Sequence, residues 1–149
     1  MPHPAPDPLP SFREIQSKFP RLYAQLLLEF DLSLPQYALL NLLAASGSMT
    51  MTEASAKLHI TKPAVTHLVD RLEEKGCLER CDCKEDRRAY LLSLKPKGAR
   101  VTSKIQAAGL NCLMKSLEPF GPKEKKVIAD FYSRLAKNLD GILKGVKGE

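Results

Sequence analysis

Several kinds of feature are scarce in this chain of 149 residues, and each scarcity narrows the class of protein. Tryptophan is absent and aromatic residues make up 6% of the chain, so we expect a core of Leu, Ile, Val and Ala, which suits packed helices. The longest apolar stretch, Tyr37 to Ala45, is interrupted by Asn41 and falls short of the roughly 18 residues of a membrane span. The N-terminus lacks the pattern of a secretion signal. We therefore expect a cytoplasmic protein without a membrane partner.

Motifs for catalysis are also missing. The chain has 3 His, and it carries neither a glycine-rich phosphate loop nor an HExxH metalloprotease motif. The sequence establishes no Ser or Cys at nucleophile geometry beside His59 or His67. We expect a protein that is not an enzyme and that has no cofactor.

Positive charge is concentrated in the middle and in the C-terminal part of the chain. The formal net charge is +6 at pH 7. Residues 1–60 contribute −1, residues 61–100 contribute +3 and residues 101–149 contribute +4. Such a basic excess is typical of a nucleic-acid partner, although a solvated Lys-rich surface would give the same count.

Hydrophobic periodicity predicts a mainly α chain with one small β-hairpin. Residues 1–10 contain five prolines and are expected to form a flexible tail without helix. A hairpin is predicted at 77–94, with a charged tip from Asp82 to Arg88. The predicted helices cover residues 11–30, 35–46, 50–58, 61–75, 96–118 and 122–145.

Local signals predict where these helices begin and break. Ser11 and Glu14 have the spacing of a capping box at the start of the first helix. Pro20 is expected to kink that helix or to split it near Phe19. Thr52 is expected to cap the short third helix and Thr61 the fourth.

The order of the elements is that of a winged helix-turn-helix, with the fourth helix as the recognition helix. An apolar stripe turns one face of this helix inward and leaves a polar face for the DNA major groove, where base edges carry sequence information. The hairpin would carry its basic tip to phosphates or to the minor groove. An ordinary amphipathic surface helix and a solvated hairpin tip are the alternatives. The predicted DNA-binding residues are Thr61, Lys62, Pro63, Thr66, His67 and Arg71 on the helix, and Lys84, Asp86, Arg87 and Arg88 at the tip.

The segment from Thr61 to Gly76, TKPAVTHLVDRLEEKG, followed by Leu78-Glu79-Arg80 and Asp86-Arg87-Arg88-Ala89, resembles the multiple-antibiotic-resistance regulator (MarR) family. The resemblance covers about residues 11–146 and is strongest at 61–98. Lys95-Pro96 and Cys77 depart from the residues common in the family.

This resemblance implies a homodimer that represses transcription from a pseudo-palindromic operator on double-stranded DNA and is released by a small ligand. The winged module would span about residues 35–95, and the dimerisation helices about residues 11–31 and 97–146. Arg88 would read the DNA from the wing tip, with Asp86 orienting it.

Apolar side chains in the terminal helices exceed what a small monomer needs to expose, although stripes packed within one chain are the alternative. The predicted dimer contacts are Phe12, Ile15, Phe19, Phe120, Val127, Phe131 and Leu135. The resemblance also implies a small-molecule effector bound in a crevice. Tyr23, Leu27, Tyr37 and Leu40 could line that crevice or belong to the core.

Three cysteines lie close together at the wing. Cys77, Cys81 and Cys83 could bind zinc with His59 or His67, or sense oxidants. Their C-x3-C-x-C spacing is not a standard zinc pattern, and unpaired thiols are the simpler interpretation. Two alternative functions follow: a thiol- or metal-responsive regulator of the same fold, and a winged-helix protein-interaction module without DNA binding.

Overall fold

The computed structural model describes residues 7–145. Their contacts group into two units, one ending at Ala107 and the other beginning at Ala108. The described part of the chain is mainly helical, as predicted, with one small sheet. The elements are α1 (Leu9–Glu29), α2 (Leu34–Ser46), β1 (Met49–Thr50), α3 (Met51–Leu58), α4 (Lys62–Glu74), β2 (Leu78–Asp82), β3 (Tyr90–Leu94), α5 (Pro96–Leu117) and α6 (Pro122–Gly145).

The sheet contains the predicted hairpin and one strand that the sequence analysis missed. Its order is β1-β3-β2, and both pairings are antiparallel. In β3, Leu92 lies opposite Met49 of β1 on one side and Arg80 of β2 on the other. A strand of two residues has no measurable alternation of apolar and polar side chains, which explains why β1 was not predicted.

The first unit has a core in which the fourth helix is anchored. As predicted, Val65, Leu68, Val69 and Leu72 are all buried on one face of α4. Burying a Val or Leu side chain stabilises the fold by roughly 1.5–3 kcal/mol, so rotating α4 about its axis would lose several such contributions. The opposite, polar face of α4 is therefore fixed outward. Fully buried partners from α2, β2, β3 and α5 complete this core, namely Leu39, Leu40, Leu78, Leu92 and Ile105.

The start of α1 differs from the prediction. The helix begins at Leu9, and its N-cap residue, Pro8, offers no side-chain cap. The Asp7 carboxylate instead accepts from the Leu9 N–H at 3.0 Å. The predicted capping box at Ser11 is therefore wrong, and so is the helix-free tail at residues 9 and 10. Pro10 fits because the first turn of a helix has no partner for the N–H that proline lacks. Residues 1–6 of the predicted tail lie outside the described part of the chain.

Pro20 does not divide α1. The helix continues through Pro20 to Glu29, so the predicted split is wrong. The ring removes one backbone hydrogen bond, but helix stability in proteins comes mostly from packing of the apolar face. Leu27, near the C-terminal end of α1, and Leu32, in the loop that follows the helix, are both buried.

Capping side chains set the starts of the next three helices. Ser33 and Gln36 form a capping box at α2. At α3 the box joins Thr50 and Glu53, because Thr50 stands three residues before the glutamate, and the predicted cap at Thr52 is wrong. The backbone N–H of Thr50 donates to the Glu53 carboxylate at 2.8 Å and lowers the pKa of that carboxyl. Thr61 caps α4, as predicted.

The second unit contains the end of α5 and the whole of α6. A turn at Gly121 joins the two helices, and its N–H donates to the Glu124 carboxylate at 2.7 Å. None of the described α6 side chains is buried, although Val127 and Phe131 belong to an apolar stripe. In residues 7–145, no helix combines the length and the apolar character needed to cross a membrane.

The first turn of α5 lies directly on the chain that enters the sheet. A Cβ atom on Gly98 would stand 2.0 Å from the carbonyl oxygen of Cys77 and 2.9 Å from its carbonyl carbon. The same Cys77 carbonyl accepts a hydrogen bond from the Lys95 N–H at 3.0 Å. Only glycine allows this approach, which ties the start of α5 to the entrance of the wing.

We expect Gly98→Ala to lower the free energy of unfolding by at least about 2 kcal/mol, because the clash is with backbone atoms that cannot move aside singly. Gly141→Ala is the matched control, since a Cβ on Gly141 meets nothing within 4 Å and alanine favours helix by about 0.5–1 kcal/mol. Urea unfolding followed by circular dichroism measures both variants. Equal stabilities would contradict the close approach at Gly98.

Candidate nucleic-acid interface

The outward face of α4 presents the predicted reading residues. Lys62, Pro63, Thr66, His67 and Arg71 are all exposed along the helix, and Thr61 accepts a hydrogen bond from the Ala64 N–H at its start. The Thr66 hydroxyl donates to the Lys62 carbonyl oxygen at 3.0 Å, which leaves the lone pairs of the hydroxyl directed outward. The face therefore combines donors, acceptors and positive charge on one rigid element.

A tight turn connects α3 to α4. His59 ends α3 in the left-handed conformation, with φ of 56°. The Ser55 hydroxyl donates to the Ile60 carbonyl oxygen at 2.6 Å, and the Ile60 N–H donates to the Ser55 carbonyl oxygen at 3.2 Å. These bonds hold the angle between the two helices, which is the defining feature of a helix-turn-helix.

The tip between β2 and β3 is exposed and charged. Lys84, Asp86, Arg87 and Arg88 are all exposed. The Asp86 carboxylate accepts from the backbone N–H of Arg88 at 2.9 Å, and the Asp86 carbonyl oxygen accepts from the Ala89 N–H at 3.1 Å. In residues 7–145 no ion pair joins Asp86 to either arginine. Asp86 therefore bonds the backbone of the tip, and its role in orienting the Arg88 side chain on DNA stays a prediction.

Arg80 makes the strongest polar contact between the wing and α4, and the site prediction did not include it. From β2, its Nη2 donates to the Asp70 carboxylate at 2.5 Å, and its Nη1 donates to the Glu73 carboxylate. The backbone N–H of Arg80 also donates to Glu73, at 3.3 Å. The hydrogen bond to Asp70 is the largest cause of a raised pKa at Arg80. Two carboxylates one helical turn apart on α4, facing a strand with one arginine, are the signal that could have revealed the contact.

Lys75, directly after α4, ties the helix to the loop between α1 and α2. Its Nζ lies 3.1 Å from the Asp31 carboxylate and 3.5 Å from the Gln36 side-chain oxygen, and it also contacts the Asp31 carbonyl oxygen. The Lys75 carbonyl oxygen in turn accepts from the Lys97 ammonium at 2.7 Å. Both Arg80 and Lys75 therefore fix the C-terminal half of α4, while its N-terminal turns stay open to solvent.

A sequence profile described as the MarR family matches residues 30–89, from the end of α1 to the wing tip. The match includes the helix-turn-helix and the charged tip. This part of the chain resembles the MarR family. Members of that family are winged-helix transcriptional regulators and not enzymes.

Individual proteins and solved structures that resemble the chain point to the same family. The chain is 29% identical over 117 residues to an uncharacterised HTH-type transcriptional regulator, YfiV of Bacillus subtilis, over 78% of this chain and 73% of the relative. A MarR family protein from Bacillus stearothermophilus has a similar structure, with a TM-score of 0.73, 24% identity and coverage of 87% of this chain and 90% of that one. A MepR–DNA complex from S. aureus matches with a TM-score of 0.71 and 21% identity over 86% and 96% of the two chains. The two structures, each less than 25% identical to the chain, show its fold.

The residues predicted for a ligand crevice separate into two groups in the structure. Tyr23 and Leu27 line an apolar pocket of about 430 Å³. Tyr37 and Leu40 are buried in the core and do not line that pocket, and burial raises the pKa of Tyr37. The pocket is lined by Phe19, Pro20, Tyr23, Ala24, Leu27 and Leu34.

The residues predicted for dimerisation lie at the surface of the chain. All of them are exposed except Leu135, which is half-buried. Three lie on α1, one in the turn before α6 and three on α6, in the order Phe12, Ile15, Phe19, Phe120, Val127, Phe131 and Leu135.

The cysteines of the chain differ in their exposure. Cys77 is buried, whereas Cys81 and Cys83 are half-buried and Cys112 is exposed. Because β2 ends at Asp82, Cys83 lies outside the strand that carries Cys81. Within residues 7–145, no group of three or more His, Cys, Asp or Glu could hold a metal ion, so the structure gives the metal-responsive hypothesis no support.

We expect the cysteines to react with a maleimide in the order of their exposure, with Cys112 first and Cys77 last. The thiolate is the reactive form, and burial both shields Cys77 and raises the pKa of its thiol. Time-resolved mass spectrometry of the native protein measures the order, and the denatured protein serves as control. Labelling of Cys77 as fast as Cys112 would overturn this assignment of burial.

Proposed function

We propose that this protein is a sequence-specific repressor that binds double-stranded DNA as a homodimer. The observation that carries the proposal is the pairing of two exposed features in one unit, the polar face of α4 and the arginine-bearing wing tip. A helix of this kind fits the major groove, and a basic tip beside it can reach the adjacent backbone or minor groove.

The exposed residues divide by the chemistry that each offers to DNA. Thr66 and His67 lie in the N-terminal half of α4, where recognition helices meet base edges. Lys62, Arg71 and Lys84 supply positive charge for phosphates, which position a protein without reading sequence. Thr61 and Pro63 belong to the helix N-terminus, which favours a phosphate through its free N–H groups. Arg87 and Arg88 would enter a narrow minor groove, and Asp86 would hold the backbone of the tip in shape.

A second copy of the chain is the partner that the terminal helices favour. Ile15 on α1 and Phe131 on α6 are 49% and 58% exposed, and each belongs to a stripe of apolar side chains. Contiguous apolar surface of this kind marks an interaction site. A symmetric dimer would present two α4 helices to two half-sites related by a two-fold axis, which gives a pseudo-palindromic operator.

A small apolar or aromatic effector would occupy the pocket beside Tyr23 and Leu27 and release the protein from DNA. Its volume of about 430 Å³ falls within the usual range of small-molecule sites. Repression would follow from blocking a promoter, and the place of action would be the cytoplasm, where the DNA of a bacterial operator lies.

Selection of bound DNA from a random pool tests the proposal directly. We expect enrichment of a two-fold-related sequence whose half-sites are about one helical turn apart. Absence of any enriched sequence would count against DNA reading and in favour of a winged-helix module that binds protein.

On the selected operator, we expect replacement of Arg87 and Arg88 by Ala to weaken binding by about tenfold or more. The slope of the salt dependence should also fall, because fewer counterions are released when two positive charges no longer enter the groove. Lys126→Ala is the control, because it removes one exposed charge from α6. Fluorescence anisotropy across a series of salt concentrations measures both. An unchanged slope in the double variant would remove the wing from the DNA interface.

We expect Phe131→Glu to convert the dimer to monomer, because a buried unpaired charge at an apolar interface costs several kcal/mol. Ser133→Glu adds the same charge to the same helix at an exposed position outside the apolar stripe and should leave the mass unchanged. Sedimentation or light scattering measures the mass of each. A monomeric wild-type protein, or a dimeric Phe131 variant, would contradict the proposed interface.

A further inference from the structure

Two carboxylates occupy the face of α4 that the proposed function turns toward DNA. Asp70 follows Thr66 by four residues and His67 by three, so it lies on the same side of the helix as both. Its side chain is 53% exposed, and that of Glu73 is 39% exposed. Unpaired acids beside phosphates would oppose binding, since like charges repel. Their presence on this face needs a compensating interaction.

Arg80 supplies that interaction from the neighbouring strand. Its two terminal nitrogens are divided between the two acids, one on Asp70 and one on Glu73, and its backbone N–H makes a third contact with Glu73. The Arg80 side chain is only 22% exposed. Because both ends of the guanidinium are occupied, it is not available as an ordinary phosphate contact.

The Arg80 contact also connects the wing to α4, which are the two parts of the proposed interface. Arg80 lies in the middle of β2, opposite Leu92 of β3, and the strand ends two residues later at Asp82, where the charged tip begins. The planar guanidinium bonds two acceptors in a fixed geometry, which a flexible ammonium does not reproduce. The orientation of the wing relative to α4 therefore depends on this fork, which consists of the hydrogen bonds from the Arg80 guanidinium to Asp70 and Glu73.

We propose that Arg80, Asp70 and Glu73 form a clamp that determines DNA specificity by fixing the angle between the wing and α4, without Arg80 contacting DNA. The inference rests on the proposed DNA-binding function. Arg80 is a positioning residue in it: it acts through the placement of Arg87 and Arg88.

For the operator affinity of Asp70→Asn, the clamp predicts a change opposite in sign to the change that charge alone predicts. Asp70→Asn removes a negative charge from the DNA-facing helix, so charge alone raises affinity for every DNA sequence. The clamp requires that affinity for the selected operator falls by about tenfold or more, since a displaced wing loses its contacts with DNA. Affinity for random DNA, which depends on charge, should stay constant or rise.

The experiment measures operator and random-sequence binding for the wild type, Asp70→Asn, Arg80→Lys and Arg80→Gln. Glu79→Gln is the matched control, since Glu79 is the exposed neighbour of Arg80 on β2 and makes no ion pair within the described residues. Glu79→Gln should change the affinity for the operator and the affinity for random DNA by the same factor. Arg80→Lys keeps the positive charge. If Arg80 contacted a phosphate, this variant would keep its preference for the operator. If Arg80 acts through the two bonds of its guanidinium, the variant would lose that preference. Thermal unfolding of each variant, with a double-mutant cycle between Asp70 and Arg80, measures their coupling without DNA.

The clamp is supported if the operator-to-random affinity ratio falls in Asp70→Asn and Arg80→Lys while Glu79→Gln keeps it, and if the unfolding cycle shows coupling. It is overturned if wild-type protein reads the operator and Asp70→Asn behaves like Glu79→Gln, or if Arg80→Lys retains the wild-type ratio. Failure of the wild-type protein to prefer any DNA sequence would be a separate result, because it removes the proposed function and this specificity role with it.

Discussion

The buried stripe of α4 is the constraint on which the rest of the site depends. Val65, Leu68, Val69 and Leu72 hold the helix against the core, and burial of apolar surface is the largest favourable term in folding. Because the stripe occupies one side, the remaining side must face solvent with whatever side chains it carries. Polar contacts at Lys75 and Arg80 then fix the helix at its C-terminal end. The N-terminal turns are left as a solvent-exposed polar surface on a fixed helix, which is what contact with base edges requires.

Prediction from the sequence succeeded where a single element carries the whole signal. The stripe of α4 has helical spacing, Thr61 stands where a cap belongs, and the hairpin alternates between two faces, so each could be identified from local residues. The resemblance to the MarR family added the arrangement of the helices and the importance of the wing. Both follow from the sequence because they depend on neighbouring residues or on a contiguous motif.

Features that depend on contacts between distant residues were not predicted. The Arg80 fork joins residues ten positions apart across a turn, and the strand β1 exists only because β3 offers it a partner. Tyr37 was grouped with Tyr23 because both are aromatic and lie on neighbouring helices, but the first belongs to the core and the second lines a pocket. Position along a helix sets the face of a side chain. It does not set the depth of burial, which depends on packing from elsewhere in the chain.

The two-residue strand β1 has a consequence for the solubility of the chain. Without it, β3 would be an edge strand, and its sequence YLLSL is the most apolar of the three strands. An exposed apolar edge offers a row of free backbone groups to any other extended chain, which is a route to aggregation. Pairing of Met49 and Thr50 with Leu92 and Leu91 covers that edge and makes β3 the central strand. The charged strand β2, which carries Glu79 and Arg80, forms the other border. A pairing of two residues thus covers the apolar centre of β3 in the folded chain and shortens the backbone edge that could pair with another chain.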